Sequence, residues 1–269
     1  MIYTDEQFAD RYHEAMLSLA AEPMALEFRI ESGHTGLPRA SSLGDCARKQ
    51  LYDMRQDAPT DSGAAAGLWP SWQGFAAEAL ARAILTRMGY SMSRPDLPPL
   101  TWASGHVDGR MEGLDLDGPV VWDNKARAAY AFKNLVIMGV REFDPVMHMQ
   151  MQVYMKAMDV ERAMITVTPQ EMASIRREIR GDFSLATLIV QRLWVEADAR
   201  TQQLAQERAE ALIAANNLDM MVDREFNPSL GKFPCTYCAH ITRCMADDLE
   251  YSTHPQDMLT IPPMEGSNG

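Results

Sequence analysis

No run among the 269 residues approaches the roughly 18 consecutive apolar positions that a membrane span needs. No membrane association is expected. The opening MIYTDEQFAD lacks the basic n-region and apolar h-region of a secretory signal, which leaves the cytoplasm as the expected compartment. Cysteine is scarce, with only Cys46, Cys235, Cys238 and Cys244. In a reducing cytosol such residues are metal ligands before they are disulfides. Basic residues are in the minority, 25 Lys and Arg against 37 Asp and Glu, for a formal net charge of −12. That excludes a protein that coats nucleic acid through bulk charge. It does not exclude an enzyme with a local basic groove, because carboxylates that hold a metal also count as negative here. Internal repeats and long low-complexity tracts are absent too. What remains is 46% hydrophobic and 23% charged, enough apolar content for one large domain or a core with an appended lobe.

The stretch that organises the chain is GHVDGRMEGLDLDGPVVWDNKA, residues 105–126. Apolar and β-branched residues bounded by Gly, Asp and Pro clusters mark a hairpin. The first strand is expected to end near Gly105-His106-Val107-Asp108-Gly109, with the turn at 113–119. The second strand is Val120-Val121-Trp122, ending in Asp123-Asn124-Lys125. Asp is depleted in strands and unpaired buried charge is costly, so an apolar strand ending in Asp-x-Lys calls for a reason. On adjacent strand ends Asp108 and Asp123 can share a hard divalent cation through oxygen ligands. Lys125 points the same way as Asp123 by the two-residue period of a strand. His106 is expected to pack.

Around this hairpin the pattern reads in order. Residues 4–21 form a helix, with Thr4 and Gln7 as a capping box. Residues 31–45 are a loop, 46–52 begin a short helix, and 57–67 are a flexible connection. Residues 71–88 form a strong helix that Gly89 ends. After the hairpin, 127–142 are helical, and Pro145 opens a helix through Met158. Residues 162–168 read as a strand. Residues 171–216 are helical with a break near 181–182, and the cysteine cluster is irregular. The prediction is an α/β fold, a small mixed central sheet flanked by helices. Residues 1–254 make a single domain with its core at about 70–170; 255–269 are a flexible tail.

Four features resemble the PD-(D/E)XK nuclease superfamily, and within it the RecB-type branch with an iron–sulfur cluster. That branch includes CRISPR-associated adaptation nucleases, the AddB nuclease domain and phage exonucleases. Glu78, in Gly74-Phe75-Ala76-Ala77-Glu78, stands where the branch carries a helix-borne acid or His. Asp108 followed by Asp123-Asn124-Lys125 matches the central motif, with Asp at 123 where Glu is commoner. Gln150-Met151-Gln152-Val153-Tyr154 matches a Q-x-x-x-Y helix. Cys46, then Cys235-x2-Cys238-x5-Cys244, matches a one-plus-three cysteine clasp. The motifs span residues 46–244.

The resemblance implies a restriction-endonuclease-like core and a divalent-metal-dependent deoxyribonuclease, an exonuclease on single-stranded DNA or DNA ends. It implies duty in replication, recombination or repair, possible recombination or replication protein partners, and a phage-type source. Mg²⁺ or Mn²⁺ would be held by Asp108, Asp123 and the backbone carbonyl of Asn124, with Glu78 on a second metal or a metal-bound water. Lys125 would orient or deprotonate the attacking water, or stabilise the phosphate. Gln150 and Tyr154, one turn apart, would contact substrate or Lys125. The four cysteines would hold a [4Fe–4S] cluster; a zinc site of three cysteines and His240 is the alternative. DNA contacts are expected at Arg48, Lys49, Arg127 and Lys133, whereas Arg176, Arg177 and Arg180 read as a solvated face. Met147, Met151, Met155 and Met158 read as core, as do Trp102 and Trp122. Two rivals remain: a DNA-trimming nuclease within a CRISPR-adaptation complex, and a non-catalytic iron–sulfur DNA-binding scaffold.

Overall fold

A computed structural model describes residues 4–20, 36–61, 68–95, 100–113, 115–170, 189–223, 225, 235, 238–251 and 258–259; at 68–71, 248–251 and 258–259 it describes the backbone alone. The expected polar segment 176–180 lies outside these residues. Helix α1 (Asp5–Ala20) begins with the anticipated capping box: the Gln7 N–H donates to Thr4 Oγ1 at 3.2 Å, and the Thr4 N–H to Gln7 Oε1 at 2.9 Å. Helix α2 (Ala47–Met54) follows, with Cys46 at its N-cap. Helix α3 (Leu68–Arg87) ends at Gly89, whose φ of +98° suits a residue without a Cβ.

The centre is an open five-stranded mixed sheet in the order β1 (Ser91–Ser93), β2 (Gly109–Glu112), β3 (Val120–Arg127), β4 (Arg162–Pro169) and β5 (Gln191–Glu196). Within this sheet β3 and β4 pair in parallel and the other neighbours pair antiparallel. Between them run α4 (Ala129–Met138), α5 (Val140–Phe143) and α6 (Pro145–Met158). Helix α7 (Ala199–Asn217) and helix α8 (Ile241–Tyr251) follow β5. The small mixed sheet flanked by helices is thus borne out.

The pleat of β3 separates two cores. Trp122 and Met164 face α1 and α3, packing with Phe8, Ile84 and Leu85. Val121, Ile165 and Val167 face α2, α6 and α7, packing with Leu51, Phe132 and Met151. Burying each large side chain contributes about 1.5–3 kcal/mol. Met147, Met151 and Met155 are buried and Met158 packs against them, as their spacing predicts; Trp102 and Trp122 are buried as well. Pro145 opens α6, and Asp144 caps it by accepting from the Met147 N–H at 2.9 Å.

Several boundaries differ from the sequence reading. Strand β2 starts at Gly109 instead of ending there, because Gly109 pairs with Trp122 and Met111 with Val120. The anticipated 127–142 helix breaks at Gly139, where φ is +82°. Residues 191–196, expected to be helical, form β5, held by antiparallel pairing along β4. Cys244 lies in α8 instead of an irregular segment. Met258–Leu259, inside the expected tail, pair in parallel with β6 (Met221–Val222). In the expected flexible connection, the Thr60 and Asp61 N–H groups donate to Ala239 O at 2.9 and 3.1 Å.

Candidate active site

The hairpin register sets Gly109 opposite Trp122, which puts Asp108 beside Asp123 where the two strands open. Asp108 Oδ2 accepts from the Asn124 N–H at 2.9 Å. Asp123 is 1% exposed, and its Oδ2 lies 2.7 Å from Nζ of Lys125, which is 21% exposed. Asp123 Oδ1 is buried without a hydrogen-bond partner. A buried carboxylate oxygen in that position is costly unless something cationic meets it. Burial, then the Asp123 charge, pushes the Asp108 carboxyl well above its usual range; Lys125 opposes this and Glu78 adds to it. For Lys125, burial disfavours the ammonium, but Asp123 and Asp108 together outweigh it, and its pKa is raised.

Asn124 faces the other side of β3, where its amide lies between Thr166 and α3. With its Oδ1 accepting from the Glu78 N–H at 3.3 Å and its Nδ2 donating to Thr166 Oγ1 at 2.9 Å, both ends are satisfied. Trp122 Nε1 donates to the same hydroxyl at 3.1 Å. This network fixes α3 against β3 at the level of Glu78.

A pocket of about 150 Å³ opens beside the strand ends, and its lining includes Glu78, Arg94, His106, Asp108, Gln150 and Tyr154. The two helix-borne groups pair with each other: Gln150 Nε2 donates to the Tyr154 hydroxyl at 3.1 Å. His106, expected to pack, belongs to this lining instead, as do Arg39 and Arg94, which the sequence reading missed. Glu78 is 17% exposed; its Oε1 is engaged by Arg94 Nη2 and lies 3.7 Å from Arg82 Nη2. Arg82, one helical turn from Glu78, is therefore a half-buried contact, secondary to Arg94.

Of the four expected DNA contacts, Arg48 does not reach the surface. It is fully buried, and its Nε and Nη2 donate to Val222 O at 3.1 and 2.9 Å. Charge is legible in a sequence, but the burial of this guanidinium stem against β6 is not. Lys49 pairs with Asp53 at 3.0 Å, and Arg127 pairs with Asp144 at 2.9 Å. Lys133 stands on α4, one turn from Tyr130, which is 69% exposed.

All four cysteines are free thiols. Cys244 Sγ lies 3.9 Å from Arg48 Nη1, so the C-terminal cysteines are folded back onto the helix that Cys46 precedes. Burial, opposed by the Lys49 N–H and reinforced by Glu225 and Asp45, pushes the Cys46 thiol up to about 12. His240 is buried, with Nε2 3.2 Å from Asp53 Oδ1 and with Nδ1 lacking a hydrogen-bond partner. Among the described residues no three His, Cys, Asp or Glu side chains are grouped to hold a metal ion, at the thiols or at the carboxylates. Among the described residues no helix is long and apolar enough to cross a membrane.

No family model matches the sequence, and no curated protein does. Among solved structures, the chain is similar to an alkaline exonuclease, LHK-Exo, from Laribacter hongkongensis, with a TM-score of 0.46 at 12% identity, covering 80% of this chain and 96% of that one. LHK-Exo in complex with dAMP gives a TM-score of 0.42 at 14% identity, covering 83% and 94%. SSO0001 gives 0.44 at 14% identity, covering 87% and 94%.

Proposed function

We propose that this protein is a divalent-metal-dependent nuclease that hydrolyses DNA phosphodiester bonds on single strands or at duplex ends, in replication, recombination or repair. One observation carries the reading: Asp108 and Asp123 stand side by side at the strand ends, with an unpartnered buried oxygen on Asp123 and Lys125 only 2.7 Å away. Hard carboxylate oxygens of this kind suit Mg²⁺ or Mn²⁺. Such an ion, when bound, polarises phosphate and lowers the pKa of water. The residues of the chain do the rest. Asp108, Asp123 and the Asn124 carbonyl would hold the cation, with Glu78 on a second ion or a metal-bound water. Lys125, kept as an ammonium by its two carboxylates, neutralises charge on the phosphate and orients the attacking water. Gln150 and Tyr154 position the substrate from α6. Arg127 and Lys133 extend a cationic path beyond β3, and the exposed ring of Tyr130 between them is suited to stacking on an unpaired base.

The deciding experiment exposes end-labelled single- and double-stranded DNA to the protein with Mg²⁺, Mn²⁺ or EDTA. Cleavage with either ion and none in EDTA is expected. If neither ion supports cleavage, the non-catalytic scaffold takes its place.

For the thiols we propose a structural metal that ties the C-terminal cysteines to Cys46. Cys244, 3.9 Å from Arg48 on the helix that Cys46 precedes, supports such a tie, and four thiolates are the donor set of a [4Fe–4S] cluster. The unpartnered Nδ1 of His240, with Asp53 on its other nitrogen, favours zinc as the second reading. Metal analysis of protein purified anaerobically separates the two. Iron with a visible colour that Cys46→Ala removes supports the cluster; colourless zinc protein supports the His240 site.

A further inference from the structure

We infer that Arg94 is a charge-exchange residue. It neutralises Glu78 while the carboxylate cluster is free of metal, and it passes its guanidinium to a substrate phosphate when a divalent cation engages Glu78. The inference rests on the metal-site reading given above. Glu78 belongs to the pocket that also holds Asp108, but its carboxylate is taken by Arg94 Nη2, with Arg82 further off at 3.7 Å. Glu78 and Asp108 line one pocket, Asp123 stands beside Asp108 at the strand ends, and the guanidinium on Glu78 neutralises one of the three acids. Arg94 occupies Glu78 in the cation's stead.

The position of Arg94 suits a group that moves. It directly follows β1, the outermost strand of the sheet, so its backbone lies at the edge and not within the central ladder. Its side chain is 22% exposed and already lines the pocket. A cation arriving at Glu78 removes the attraction that holds Arg94 and adds repulsion, since like charges at that range repel strongly in a half-buried site. The released guanidinium stays inside the same pocket. Its planar fork matches two phosphate oxygens, which a lysine ammonium does not. Metal loading and substrate capture are thereby coupled: the ion frees the group that binds the phosphate.

The test measures Mn²⁺ affinity in metal-free protein by electron paramagnetic resonance, without DNA, alongside KM and kcat on a single-stranded oligonucleotide. Removal of a competing ion pair should tighten Mn²⁺ binding by Arg94→Ala roughly five-fold. Loss of a charge-assisted phosphate contact should raise its KM roughly ten-fold. A merely structural arginine would weaken both. Arg94→Lys should keep normal Mn²⁺ affinity yet share the raised KM. In a Glu78→Gln background the Mn²⁺ effect of Arg94→Ala should vanish, as coupling through one partner requires. If Arg94→Ala does not fold in EDTA, Arg94→Gln, which keeps two donors without the charge, carries the same expectations. Mn²⁺ bound equally by the wild type and the variant overturns the inference and leaves the metal site standing. A wild-type protein that binds no Mn²⁺ overturns both.

Discussion

Asp123 and Lys125 face each other at 2.7 Å from the same side of β3, the carboxylate almost wholly buried and the ammonium partly open to solvent. The pair is asymmetric, because Asp123 keeps an oxygen that Lys125 does not satisfy. Lys125→Met keeps the apolar stem and deletes the charge, which leaves Asp123 and Asp108 facing each other without a counter-ion. Breaking a buried pair in this way costs about 3–5 kcal/mol. Tm in EDTA should fall by roughly 10 °C. Mn²⁺ should restore much of that loss by binding only the folded carboxylate pair, while cleavage stays absent. Calorimetry with EDTA and with Mn²⁺ checks this; an equal loss in both conditions would contradict a metal at Asp123.

Asp108→Asn should act in the opposite direction on stability. Its carboxyl is pushed up chiefly by burial and then by Asp123, so the ionised form is disfavoured in the fold. Asparagine removes that charge and still offers an oxygen to the Asn124 N–H, the contact Asp108 makes at 2.9 Å. Tm in EDTA should rise by at least roughly 2 °C at neutral pH. The gain from Mn²⁺ should shrink and cleavage should be lost, as expected of a carboxylate that serves the site at the expense of the fold. A variant less stable than the wild type in EDTA would refute the repulsion argument.

The parts of this site that were legible in the sequence are those set by local periodicity. Asp123 and Lys125 follow from the two-residue period of β3, and Gln150 and Tyr154 from one turn of a helix that Pro145 opens. The Met147, Met151 and Met155 stripe is buried for the same reason. What was not legible depends on distant partners. Arg94 is a single basic residue with no motif, and it matters only because Glu78 lies across the pocket. Arg48 reads as a surface cation until Val222 O is found on its guanidinium. Strand β5 carries only three apolar residues, Leu193, Trp194 and Val195, between polar ends, and pairing with β4 decides its conformation. Gly139, where the 127–142 helix breaks, is visible in the sequence, and its positive φ is the conformation that glycine adopts at least cost.

His148 supplies the pH dependence. It is nearly buried on α6, with Nε2 3.3 Å from Gln152 Nε2. Gln152 Nε2 also donates to Glu196 O at 2.8 Å, while its Oε1 accepts from the Asp198 N–H at 2.8 Å. The histidine nitrogen must therefore accept, which only neutral imidazole does. Burial, then Arg141, lowers its pKa, and Asp198 opposes them in part. A lowered folded-state pKa means that the unfolded chain binds the proton more readily. The stability so contributed is complete above the unfolded value of about 6.5 and is lost as pH falls toward the folded one. Thermal unfolding from pH 7.5 to 5 should show this loss in the wild type and a flatter profile in His148→Gln. Parallel profiles would place the acid sensitivity elsewhere.

Asp115, in the hairpin turn, reaches Arg192 on β5 at 2.8 Å, and both side chains are buried. Arg192 also meets Asp5 at 3.1 Å and lies over the ring of Phe8, so one guanidinium joins the turn, the edge strand and α1. Asp5 is mostly exposed and cannot replace Asp115 as the buried counter-ion. Asp115→Ala therefore strands the guanidinium in a low-dielectric site, at a cost of about 3–5 kcal/mol. The double variant Asp115→Leu/Arg192→Met should recover much of the loss, because an apolar pair has no charge to desolvate. Neither residue contributes to the candidate active site, so cleavage at low temperature should persist in Asp115→Ala while its denaturant midpoint falls. Equal midpoints for the single and double variants would mean that the stabilisation comes from packing around the turn and not from the ion pair.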